Sequence, residues 1–188
     1  MNRRIATSVV LAIVLSAAVA FAQDVVHVVD GVVKKVDSTA KTVTVATADG
    51  TEHVFKYTEK TTVHGTQAMG KTVKVGAVDT YFKGKEGTEV MVRYMGKGAD
   101  KTAVGFHDLG KDSVKVAKGT VTKFDKGTRT VAIKTEDGSE QTFKVSKDAL
   151  RDSEKGVVHG ADFTAKEGDK LTVRYTEDAA GKVAHFFE

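Results

Sequence analysis

Six histidines, two Arg-Tyr pairs and a set of recurring carboxylates are the reactive side chains of this sequence. A histidine metal centre needs two or three imidazoles or carboxylates that converge on one point. Among His27, His53, His64, His107, His159 and His185, no two stand at tight ligand spacing. The nearest carboxylate neighbours occur in His27-Val28-Val29-Asp30 and His107-Asp108, and Val63-His64-Gly65 echoes Val158-His159-Gly160. The expected ligands of a loop metal site are therefore His64, His107 and His159. The plainer expectation is that all six are surface or half-buried structural histidines.

Arg93-Tyr94 and Arg174-Tyr175 each end an alternating apolar run. Alternation predicts each Tyr inward and each Arg outward, facing solvent. In a functional reading, Arg93 and Arg174 would contact an anionic ligand or partner. The recurring carboxylates have local roles. Asp49-Gly50, Asp137-Gly138, Glu86-Gly87 and Glu167-Gly168 are turn signals. Asp37 and Asp125 end strands, where a side-chain oxygen satisfies loop N–H groups. No pattern points to paired carboxylates for acid–base work. There is no G-x-S-x-G, phosphate loop or dinucleotide fingerprint, and no Cys for thiol chemistry. The expectation is no catalytic residue, no cofactor and no enzyme.

Residues 1–22 read as a secretory signal peptide. Arg3 and Arg4 precede an apolar run from Ile5 to Phe21, and Ala20-Phe21-Ala22 is a small-x-small cleavage site. No other stretch is apolar enough to cross a membrane, so no stable insertion is expected after cleavage. The full chain has 29 basic and 25 acidic residues. Loss of Arg3 and Arg4 leaves 27 basic residues and a net charge of only +2. That weak charge, with few aromatics outside inward positions, argues against nucleic acid as a partner.

Self-comparison exposes a tandem repeat. Residues 31–57 align without gaps to 119–145, with 12 of 27 positions identical. Residues 82–107 align to 163–188, with 11 of 26 identical. The offset falls from 88 to 81, so the first copy carries seven extra residues between 57 and 82, read as a longer loop or added hairpin. The expected organisation is a signal peptide (1–22), a first barrel (23–110) and a second (113–188), joined near Gly110-Lys111-Asp112-Ser113.

Each copy has a β pattern. Thr42-Val43-Thr44-Val45 and Thr130-Val131-Ala132-Ile133 alternate with period two, and the Asp-Gly turns lead to return strands with Phe55 and Phe143. Val90, Val92, Tyr94 and Leu171, Val173, Tyr175 form the next inward sets, before a final strand near Thr102–His107 or Val183–Phe187. Ser146–Leu150 is expected as a helical turn with Ser146 as N-cap. Five strands with a helical turn after the third predict two OB-like barrels, with an SH3-like barrel or one joined sandwich as alternatives. The order G-x-V-x-x-x-D, T-V-x-V/I, D-G, F-K, then E-G and V-R-Y resembles a family of uncharacterised small β-barrel domains in exported bacterial proteins. That resemblance implies a periplasmic or secreted binding role toward an unknown protein or envelope ligand. The alternative expectation is a metal or small-ligand carrier.

Overall fold

The computed structural model describes residues 25–65, 72–73, 78–111, 113–153, 155–179 and 181–188. The expected signal peptide and much of the extra segment between 57 and 82 lie outside them. The described residues are all-β apart from one short helix. Its first half forms β1 (His27–Asp37), β2 (Thr42–Ala46), β3 (Glu52–Lys56), β4 (Thr62–His64), β5 (Thr72–Val73), α1 (Val78–Phe82), β6 (Thr88–Met95) and β7 (Thr102–Lys111). Its second half forms β8 (Lys115–Asp125), β9 (Thr130–Thr135), β10 (Glu140–Arg151), β11 (Val158–His159), β12 (Lys170–Asp178) and β13 (Gly181–Phe187).

Each half closes into a five-stranded barrel. The first circuit runs β3-β2-β1-β6-β7 and closes where β3 meets β7 in parallel at Lys56 and Thr102. The second runs β10-β9-β8-β12-β13 and closes through a longer parallel pairing of β10 with β13. Third strand beside fifth, and fourth beside first, is the OB-like order. Closure leaves the five main strands of each barrel with no free edge.

The strands form for the reasons the alternation gives. Val33, Val43, Val45, Phe55, Val90, Val92 and Phe106 are fully buried in the first core, with Tyr57 and Ala103. Val121, Val131, Ile133, Phe143, Leu171, Val173 and Phe187 fill the second. Phe55 tilts against Tyr94 at 5.2 Å between ring centroids, and Phe143 meets Tyr175 at the aligned position at 4.8 Å. Asp49 Oδ1 accepts the N–H of Thr51, and Asp137 Oδ1 accepts that of Ser139. Asp37 accepts from Thr39 and Ala40, and Asp125 from Thr128. Irregularities recur too. The first strand bulges between Val33 and Lys35 and between Val121 and Lys123. The fourth and fifth strands slip register at Arg93/Tyr94 and at Arg174/Tyr175. Bulges bend a strand and re-aim its side chains.

The helical turn expected at Ser146–Leu150 is not there. Those residues belong to β10, with a register shift between Val145 and Leu150. Ser146 Oγ does accept the Asp148 N–H at 3.2 Å, as a cap would. The turn stops because Ala149 is drawn into the barrel core and Leu150 into a second apolar cluster. The Arg129 guanidinium also takes the carbonyls of Val145 and Ser146. A helix appears instead at α1, in the first copy. Within the segment that carries the extra length, β4 pairs with β5 in antiparallel fashion and α1 follows.

Candidate functional site

The outer face of β1, β6 and β7 is covered by the second barrel. Alternation puts Val90 and Val92 in the core and Met91 on the opposite face, yet Met91 is 1% exposed. Val28, Met91 and Leu109 pack there against Leu150 and Phe186, with Val114 and Val157 beside them. Val28 is 4% exposed, whereas Val116, its aligned partner in the second copy, is 48% exposed.

Polar contacts flank this apolar seam. Arg174 Nε lies 2.5 Å from Asp30 Oδ2, both side chains being largely buried. The Nε–H is not aligned for a hydrogen bond, so the contact is an ion pair whose attraction offsets only part of the desolvation. Burial accordingly raises Asp30 to about 6 despite the Arg174 charge. Arg174 Nη2 also lies 3.8 Å from Glu188 Oε1. Glu89 Oε2 accepts the N–H of Val114 at 2.8 Å. Elsewhere on the seam, Asp152 Oδ1 accepts the Val28 N–H at 3.3 Å and lies 3.3 Å from His27 Nδ1. The Val157 N–H donates to the Val26 carbonyl at 3.0 Å.

Asp30 and Glu89 line a groove on barrel one whose floor is Gly31. A Cβ on Gly31 would lie 2.4 Å from the carbonyl oxygen of Ala46, so a larger residue would push β2 away. Val114, Val116 and Arg174 of barrel two enter this groove and leave a pocket of about 100 Å³. The sequence drew attention to Asp30 only as a neighbour of His27, and to Glu89 not at all. Their signal was the alignment itself, since both fall opposite lysines in the second copy (Lys118 and Lys170).

The histidines divide. His64 and His107 are partners in the parallel β4–β7 ladder, with rings 4.5 Å apart. His159 stands on β11 opposite Leu150. Among the described residues no three His, Asp or Glu side chains converge as a metal site. His64 lies on the strand beside the fifth main strand, and His159 on one a step further out, so the Val-His-Gly echo joins non-equivalent positions. Burial first, then the neighbouring His64 and Arg93, lower His107 to about 4. Burial also lowers His64 and His185. These imidazoles are thus neutral at pH 7, and the Arg93 charge opposes a metal cation beside them.

Neither arginine stands free in solvent as alternation predicted. Arg174 is the seam ion pair. Arg93 is half-buried, and its Nη2 and Thr62 Oγ1 both crowd Gly105, where a Cβ would lie 2.9 and 2.7 Å from them. Arg93 Nε and Thr62 Oγ1 have no hydrogen-bond partner among the described residues. The alternation itself was right. What it did not reveal was a second barrel lying on the outward face.

No known family model matches the chain, and no curated protein does. Solved structures similar to part of it include CusF of Escherichia coli. The silver(I)-bound form is 13% identical with a TM-score of 0.31, covering 40% of this chain and 89% of that one. A copper(II)-bound variant is 14% identical with a TM-score of 0.32, covering 42% and 94%. The apo form is 15% identical with a TM-score of 0.31, covering 40% and 84%. At these values the likeness adds nothing to the reading of the site, which rests on the geometry above.

Proposed function

We propose that this chain is a non-catalytic binding module of the bacterial cell envelope, exported by residues 1–22, that works by holding polypeptide in a groove of its barrel. The observation that carries this reading is the groove of barrel one. Its carboxylates hold a guanidinium (Arg174) and a backbone N–H (Val114), while Val114 and Val116 contribute apolar surface. A charged rim around apolar contacts is the usual anatomy of a protein interface. The aligned sequences, and the bulges that recur at aligned positions, support an origin by duplication of one exported small-barrel domain.

The test is crosslinking in cells that express the full-length sequence, followed by rebinding with purified components. One stoichiometric partner that rebinds the purified protein supports the module. Absence of any partner, or turnover of an envelope polymer by the purified protein, sinks it. A second reading, a metal or small-ligand carrier, is favoured by the His64–His107 pair. Native mass spectrometry of protein purified without chelators separates the two. A bound metal that disappears in His107→Gln puts the carrier ahead.

A further inference from the structure

Barrel two carries the same groove, and among the described residues nothing covers it. Gly119 is its floor, and a Cβ there would lie 2.5 Å from the carbonyl oxygen of Lys134. The walls come from the aligned positions of β8, β9 and β12, and the space measures about 500 Å³ against about 100 Å³ left in barrel one. The charges are exchanged. Lys118 stands at the position of Asp30, Lys170 at that of Glu89, and Lys134 at that of Ala46. All three lysines are exposed, and no ion pair among the described residues includes them. Glu136 and Glu188 also line the groove, but Glu188 lies near Arg174. The uncovered wall is therefore net positive where the covered one is net negative.

A second copy of this chain does not fit. Barrel one receives Arg174, and a copy adding head to tail would bring its own barrel one, with Arg93 at the aligned position, to three lysines in the groove of barrel two. Like charges at the meeting point select against a copy adding head to tail. The geometry points to the open groove of barrel two as a docking site for an extended acidic segment of a partner protein. Carboxylates of that segment would meet Lys118 and Lys170, and small apolar side chains would lie over Gly119, as the seam does with the signs reversed. This assignment rests on the reading of the chain as an interaction module.

The experiment titrates isotope-labelled protein, produced from the full-length sequence, with a capped hexapeptide of alternating valine and glutamate. The same peptide with lysine, inorganic phosphate and a thymidine oligonucleotide serve as competitors. The acidic peptide should shift amides of β8, β9 and β12 and bind at least about tenfold tighter than the lysine peptide, less so at high salt. Lys118→Asp combined with Lys170→Glu places the two acids of barrel one in the groove, and should reverse the preference without loss of folding. Equal affinity for the two peptides overturns the proposal, as does a footprint elsewhere or displacement by phosphate or oligonucleotide. A cellular partner whose crosslinks avoid the groove also overturns it while leaving the module reading standing.

Discussion

The two grooves share a backbone and differ in what lies on them. Both have a glycine floor under a close carbonyl, both sit between the first, second and fourth main strands, and both are flanked by charge. In barrel one the acids Asp30 and Glu89 receive the neighbouring barrel. In barrel two the lysines Lys118 and Lys170 face water. The difference teaches that one backbone shape can serve two surfaces: the groove with acids is the covered one, and the groove with lysines is the open one. Once Asp30 holds Arg174 the first groove is structural, and the second is left for something else.

The largest effect that sharpens this contrast comes from apolar truncation. Met91→Ala should cost about 2–5 kcal/mol by urea unfolding, because it opens a cavity in the seam. Thr172→Ala, the aligned change on the open groove, should stay within about 0.5 kcal/mol. Equal costs would break the comparison. Next comes the charge pair. Arg174→Met strands the buried Asp30 carboxylate and should cost about 3 kcal/mol in the same assay at pH 7. Arg93→Met removes a half-buried guanidinium with no carboxylate at ion-pairing distance among the described residues, and should be neutral or stabilising.

A smaller effect is the dependence of stability on pH. Asp30, raised to about 6, keeps its proton in the folded chain where the unfolded chain has lost it near 3.8. Its contribution is full below about 4 and is lost as pH rises through about 6. His107 does the reverse. Lowered to about 4 from 6.5, it contributes fully above 6.5 and loses that contribution as pH falls through 4. The two oppose each other between about 4 and 6, with His64 and His185 adding to the histidine side. Asp30→Asn should therefore steepen the rise of stability with pH across that window, and His107→Gln should flatten or invert it. Unchanged slopes in both variants would mean that neither group titrates as its surroundings require. The smallest effect is a control. Asp49→Ala and Asp137→Ala remove equivalent turn bonds, each beside the aligned groove-lining threonine of its barrel (Thr47 or Thr135), and their melting points should fall by the same amount.

Much of the fold was legible in the sequence. Thr-Val alternation, the Asp-Gly turns and the offset between the copies lead to two barrels in the right strand order. Ser146 misled because its local bond is real, yet the tertiary pull on Ala149 and Leu150 outweighs a single helical turn. The candidate site was less legible. Period two says that Arg93 and Arg174 leave the core, but only the docked barrels say what they meet outside. His64 and His107 come together through a parallel pairing of strands distant in sequence, which no spacing rule reports. The charge exchange between Asp30 and Lys118 was present in the alignment. It acquired meaning only when one groove proved to be filled and the other open.

Closure of each barrel by its third and fifth main strands also sets a timetable. A chain that emerges N-terminus first can complete barrel one once β7 is out, but barrel two must wait for β13. At about 5–20 residues per second, the intervening stretch takes on the order of ten seconds to arrive. For that time Val28, Met91 and Leu109 lie bare on a finished barrel with nothing to cover them. The face that later becomes the internal seam is thus the last apolar surface of barrel one to leave water.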